Sequence, residues 1–333
     1  MLRTVAFEAA NSYVKVVSDL GEWTYLNTLS KPPRENGPKT LLKRDTKTVY
    51  QIDGRSYVVG KSRTSYESSS SKGKDRYETD QYMVESLIAI SHGVQDGDQV
   101  HAVTGLPGSH YTQELKEYLK QRFIGTHTVT VNGHDITFEI VKMDVILQPL
   151  GAYIYLLRDK NGMIRPHAKE LVSQRVLSFD IGWGSSDYAI IEENDLQDWG
   201  ETSFSMKDAF QDIYLQLQSA YPSRPIATSN IGLFDLETQL RQNEGFFKYS
   251  GETYDVRQIQ NEVLNDYAGR MMTSLGQKHR LQDFDMVIFT GGGVEALKAY
   301  IKHNLTTSNA MPMKGAQLAT ARGLYVFGKY FAA

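Results

Sequence analysis

Asp180, Gly182, Gly184 and Asp187 fall within Leu177-Ser178-Phe179-Asp180-Ile181-Gly182-Trp183-Gly184-Ser185-Ser186-Asp187-Tyr188-Ala189-Ile190-Ile191. Apolar segments flank an acidic, glycine-rich turn, the layout of a β-hairpin whose bend approaches something closely. Because Gly182 and Gly184 have no Cβ, backbone N–H groups there can reach phosphate oxygens. Asp180, at the strand end, can hold a hydrated Mg2+ or orient water. The same residues would serve an ordinary hairpin turn, since short Gly/Asp motifs recur by chance.

A second candidate lies late in the chain. The apolar run Phe284 to Thr290 meets Gly291-Gly292-Gly293 and then Val294 to Ile301. A buried strand, a glycine turn and a helix start place N–H groups where an anion or nucleotide can lie. The third is near the N-terminus, where Val5-Ala6-Phe7, the small polar turn Glu8-Ala9-Ala10-Asn11-Ser12 and the alternating Tyr13-Val14-Lys15-Val16-Val17 form strand, turn and strand. A further strand at Trp23 to Leu26 completes a meander on the plan of the later hairpin.

The elements that must position these residues are readable from periodicity. Tyr82 to Ile90, ended by Gly93, and Leu115 to Phe123 have helical apolar spacing, as do Lys207 to Ala220, Leu233 to Arg241 and Val256 to Leu275. Strands are expected over Val49 to Val59 and Val100 to Pro107, and Asn132-Gly133 predicts a hairpin over Thr128 to Ile140. Val141 to Leu147 reads as one more strand, stopped by Gln148-Pro149, with a helix from Gly151. Gly315 to Tyr325 is small and helical, suited to close packing against the first domain. The stretch Lys31 to Lys47 carries three prolines and many charges, and the serine-rich Lys61 to Lys74 reads as an exposed insertion, a solvated loop ahead of the alternative of a phosphoregulated or partner-binding segment.

A chain of 333 residues more plausibly forms two domains than one. With 36 Lys+Arg against 39 Asp+Glu the net charge of −3 gives no sign of a broad nucleic-acid-binding face, so sequence-specific DNA binding is not expected. The absence of cysteine excludes disulfides, thiolate zinc sites and cysteine nucleophiles, and no histidine pair has a metal spacing such as His-x-x-x-His. The N-terminus soon meets Glu8 and lacks a signal-peptide core, and no apolar run is long enough to span a membrane. A cytoplasmic protein without membrane contact is the expectation.

Taken in order, the motifs resemble a known set. The acidic turn at Glu8, Asn11-Ser12-x-x-Lys15, Val103-Thr104-Gly105-Leu106-Pro107, Val131-Asn132-Gly133, Gln148-Pro149-Leu150-Gly151-Ala152, the Asp180 hairpin, Thr290 to Gly293 and Ala319-Thr320-Ala321-Arg322-Gly323 follow the actin, heat-shock chaperone and sugar-kinase ATPase superfamily. The chain looks most like the bacterial actin-like proteins of plasmid segregation, the ParM-type family.

The resemblance implies an α/β actin-like fold: 1–172 as domain I, with 312–333 returning to it, and 173–311 as domain II. Each domain would have a mixed sheet flanked by helices, with ATP (or GTP) and Mg2+ in the cleft between them. By motif position, the Glu8 to Ser12 turn, including Ala10, Asn11 and Ser12, would face the β- and γ-phosphates with Lys15 near them. Gly182, Trp183, Gly184, Ser185 and Ser186 would form the second phosphate loop. Asp180, with Glu8, would hold the metal through water. Gln148 would orient the attacking water, and Gly291, Gly292 and Gly293 would line the adenosine. Asp187 ends the second loop or is structural.

The resemblance further implies a filament of copies of this chain, polar or multi-stranded. It would segregate plasmid DNA through a DNA-binding adaptor on centromere DNA and hydrolyse nucleotide slowly as a timer. The family usually has Asp-x-Gly where this chain has Glu8-Ala9-Ala10, which puts efficient hydrolysis in question. A nucleotide-binding scaffold with little turnover is therefore an alternative, as is a small-molecule kinase, although Gln148 offers an amide where a kinase needs a carboxylate base.

Overall fold

The computed structural model describes residues 1–32, 48–60, 73–305 and 309–332. Most of the Lys31 to Lys47 and Lys61 to Lys74 stretches therefore lie outside the described residues. The chain folds as two compact units, Met1–Arg165 with Ala321–Ala333, and Pro166–Thr320. These bounds differ by several residues from the expected 1–172 with 312–333, and 173–311.

In the first unit the strands are β1 (Leu2–Ala9), β2 (Tyr13–Ser18), β3 (Gly21–Leu26), β4 (Leu29–Ser30), β5 (Tyr50–Ile52), β6 (Arg55–Val59), β7 (Asp98–Leu106), β8 (Gly125–Val131) and β9 (His134–Leu147). Among the described residues they form one sheet in the order β3-β2-β1-β7-β9-β8-β5-β6-β4. β1, β7 and β9 run parallel at its centre, while β1–β2–β3 and β8–β9 are antiparallel. The sheet has two buried faces because side chains alternate along each strand. Val5 and Phe7 share a core with residues of α1 (Asp80–His92) and α2 (Gln113–Phe123), whereas Ala6 and Val103 join the opposite cluster. Thr79 caps α1 by accepting from the Tyr82 N–H, and Gly93 closes it where a Cβ would lie 2.9 Å from Val5 Cγ1.

Two expectations need correction here. Glu8 is not in a turn: β1 runs on to Ala9, and Glu8 pairs with Lys15 across the ladder. Val141 to Leu147 is not a separate strand, because β9 continues unbroken through it. Residues 134–140 pair with β8 and residues 138–147 with β7, and the register shift opposite Val100/His101 leaves Val141 out of the ladder. α3 (Gln148–Leu157) follows directly, with proline in its first turn.

The second unit holds α4 (Ala168–Leu171), β10 (Arg175–Ile181), β11 (Ser186–Glu192), β12 (Asp195–Thr202), α5 (Met206–Ala220), α6 (Leu233–Gln242), the hairpin β13 (Phe246–Tyr249) and β14 (Glu252–Asp255), α7 (Arg257–Lys278), β15 (Met286–Thr290), α8 (Gly293–Asn304) and β16 (Ala310–Pro312). Its sheet has the order β12-β11-β10-β15-β16, an antiparallel meander joined to the parallel strands β10, β15 and β16. α7 buries Val263, Leu264, Tyr267, Ala268, Met271, Met272 and Leu275, the stripe of an amphipathic helix. α9 (Ala316–Tyr330) begins in this unit, and from Ala321 its residues belong to the first. There Ala321, Leu324, Tyr325 and Val326 complete the core around Ala6 and Val103. A Cβ at Gly323 would collide with the Gly151 carbonyl, so α9 and α3 approach backbone to backbone.

Candidate functional site

Parallel strands gather chemistry at their carboxyl ends, where the next loop leaves the sheet. In the first unit Phe7 pairs with Thr104, and Leu106 with Leu147. Glu8 to Ser12, Gly105 and Gln148 therefore leave the same edge. Gly105 makes room for Gln148, whose Cγ would lie 2.7 Å from a Cβ there. The Gln148 side chain is half-buried and forms no hydrogen bond among the described residues.

Glu8 is 3% exposed and takes a hydrogen bond of 3.2 Å from Lys15 Nζ. Its charge is thus neutralised within the sheet. The loop beyond is held from behind. Arg76 donates to Ala9 O at 2.7 Å and to Asn11 Oδ1 at 2.7 Å, while Asn27 Nδ2 reaches Ala10 O at 2.8 Å. The Asn27 N–H donates to Ser12 O. Glu85 anchors this group, accepting from Asn27 Nδ2 at 3.0 Å and Gln81 Nε2 at 2.9 Å, and standing 3.6 Å from Arg76 Nη2. Burial pushes the Glu85 carboxyl up against the opposing pull of Asn27, Arg76 and Gln81. Ala10, Asn11 and Ser12 are half-buried, and their N–H groups have no partner among the described residues.

In the second unit Asp180 and Thr290 are ladder partners, and Asp180 faces Asp187 across the hairpin. Asp180 is 9% exposed, and Thr320 Oγ1 donates to its Oδ2 at 3.1 Å. Gly182 N–H closes a tight turn onto Ser185 O at 2.9 Å, and a Cβ at Gly182 would sit 2.5 Å from that oxygen. The Gly182 and Trp183 carbonyls accept from the Met206 and Lys207 N–H groups that open α5. Trp183 stacks on Phe234 with centroids 4.1 Å apart and on Phe210 at 5.7 Å. The Trp183, Gly184 and Ser185 N–H groups find no partner among the described residues. Ser186 is fully buried, and Ser185 Oγ donates to Asp187 at 3.1 Å, which places Asp187 in support of the loop.

The three glycines divide the work. Gly291, at φ +90°, lies against Asp180 Oδ1, where a Cβ has no room, and a Cβ at Gly293 would meet Ile181 Cγ2 at 2.5 Å. Of the three, only Gly292 has nothing within 4 Å of a Cβ among the described residues. The turn thus seats the start of α8 against the end of β10, beside Asp180.

Each unit therefore brings its own expected residues together: Glu8, Ala10, Asn11, Ser12, Lys15 and Gln148 in the first, and Asp180, Gly182 to Ser186 and Gly291 to Gly293 in the second. Arg76, Asn27, Glu85 and Thr320 were not expected. Only the Thr320-containing motif carried a signal. Free N–H groups suit phosphate oxygens. Among the described residues no cluster of acidic, histidine or cysteine side chains forms a cage for a metal. A single buried carboxylate such as Asp180 fits Mg2+, which keeps most of its waters and shares phosphate oxygens.

Residues 11–151 match the family model described as actin like proteins N terminal domain. The fold is actin-like. Solved structures agree over nearly the whole length: the actin-like protein Alp7A (TM-score 0.74, 16% identity, 98% of this chain and 96% of that one) and a 15-stranded ParM filament from Clostridium botulinum (0.76, 16%, 99% of each). An archaeal actin homologue in complex with ADP is similar as well (0.72, 16%, 97% and 98%). At such identities the likeness is one of fold. No curated protein matches the sequence significantly. No helix among the described residues is long and apolar enough to cross a membrane.

Proposed function

We propose that this actin-like chain binds ATP or GTP with Mg2+, assembles with copies of itself into a filament, and segregates plasmid DNA through a separate DNA-binding adaptor. The observation that carries the reading is the pair of loops, 10–12 and 183–185, whose carbonyls or neighbouring carbonyls are tied from behind while their N–H groups have no partner among the described residues. The ParM filament and the ADP complex among the similar structures support assembly and nucleotide as the terms in which such loops work.

In this reading the loop amides and Lys15 bind the phosphates, Asp180 orients metal-bound water, Gln148 positions the attacking water, and Gly292 lies beside the adenosine. Mg2+ would supply charge neutralisation on the phosphates. Gln148 can hold water by accepting one hydrogen bond and donating another, which suits slow turnover. Ultracentrifugal pelleting with ATP or GTP, with and without Mg2+, tests the reading; a protein that stays monomeric in every nucleotide at high concentration sinks it.

The Lys15–Glu8 ion pair favours one second reading, a filament scaffold with little hydrolysis, because Glu8 must leave Lys15 to serve a metal. Phosphate release measured beside polymerisation separates the two.

A further inference from the structure

The first loop poses a problem that its own residues do not solve. A phosphate-binding turn needs peptide planes with N–H outward, and Ala10 lacks the conformational freedom of glycine. In a trans peptide the C=O and the following N–H point to opposite sides. The Ala9 carbonyl is turned to Arg76 and the Ala10 carbonyl to Asn27, so the Ala10 and Asn11 N–H groups face the other way.

Arg76 is itself built in. It is 5% exposed, its guanidinium lies 5.2 Å from the Tyr82 ring centroid and 5.6 Å from that of Tyr77, and Glu85 stands 3.6 Å from Nη2. A charged fork held this rigidly fixes two acceptors at once, Ala9 O and Asn11 Oδ1. Asn27 holds Ala10 O with the same amide that donates to Glu85.

The geometry points to Arg76 and Asn27 as positioning residues for phosphate binding, a clamp that presets the first loop for the β- and γ-phosphates of a nucleotide. This inference rests on the nucleotide-binding reading above. Its signature is dependence on phosphate number, because a clamp on this loop acts on the distal phosphates, while general damage weakens every nucleotide alike.

The test is titration of the whole chain with ATP, ADP and AMP in Mg2+, with circular dichroism and thermal unfolding on the same samples. Arg76→Lys keeps a cation beside Glu85 without the fork, and Asn27→Ala removes the other arm. Each variant is expected to bind ATP about tenfold more weakly or worse, the scale of one charge-assisted hydrogen bond, and AMP within about twofold of wild type. ATP affinity unchanged in a folded variant, or equal losses for ATP and AMP, overturns the clamp. If Arg76→Lys does not fold, Asn27→Ala decides, since it leaves Arg76 and Glu85 in place. Failure of the wild-type chain to bind ATP removes the nucleotide reading itself; binding retained by both variants removes the clamp alone.

Discussion

Asp180 and Gln148 divide the proposed chemistry between a buried charge and a neutral amide. Asp180 accepts from Thr320 and lies against Gly291, so its carboxylate is aimed before anything binds. Asp180→Asn keeps the shape and removes the charge; Mg2+-dependent nucleotide affinity should fall by about 10- to 100-fold, the usual cost of losing an outer-shell metal partner, as read by calorimetric titration with and without Mg2+. Gln148 has room beside Gly105 and no partner among the described residues. Gln148→Ala should leave nucleotide affinity near wild type and lower phosphate release by about 100-fold, the scale of lost nucleophile positioning. A titration effect belongs to Glu22, where the Arg322 guanidinium, hydrogen-bonded at 2.7 Å, holds the carboxyl below its ordinary 4.5 despite burial. A depressed carboxylate contributes stability above its unfolded value and loses it as the pH falls. Stability should therefore drop below about pH 4.5, more steeply in wild type than in Glu22→Gln, in acid unfolding followed by circular dichroism.

At the scale of elements, the close approaches are made by glycines. Gly323→Ala drives a methyl into the Gly151 carbonyl between α9 and α3, two backbones with little room to yield. The expected loss exceeds about 3 kcal/mol in denaturant unfolding, the upper range for overpacking. The sequence marks Gly151 and Gly323 as motif residues, and their motif reflects this contact. Most elements were legible because their apolar periods are clear: β1 to β3, α1, α5, α7 and the strand and helix around Gly291 to Gly293. β12 was missed because it is a largely exposed, acidic strand entered through Glu193 and Asn194, at φ 52° and 63°, which lack the usual Asn-Gly signal. The β13–β14 hairpin did have a signal, Ser250-Gly251 at its turn. Arg76, Asn27 and Glu85 were invisible for a different reason. Their significance comes from side-chain contacts across long sequence separations, and no periodicity encodes that.

Over the whole chain the two sheets repeat one plan. The order β3-β2-β1-β7-β9 in the first unit matches β12-β11-β10-β15-β16 in the second: an antiparallel meander followed by two parallel strands. The proposed assembly belongs to this scale. Pelleting with ATP should be lost in Asp180→Asn at nucleotide concentrations that saturate wild type, and a variant that pellets normally without binding nucleotide would separate assembly from the site. The repetition makes one difference between the units informative. The 182–185 loop is fastened by main-chain N–H groups of α5, which almost any side chain can supply, whereas the 9–12 loop is fastened by Arg76 and Asn27. Inheritance of the two loops should therefore differ. A lineage can keep the second by keeping its glycines, but it can lose the first through a single codon change 65 positions away, with every residue of the loop itself unchanged.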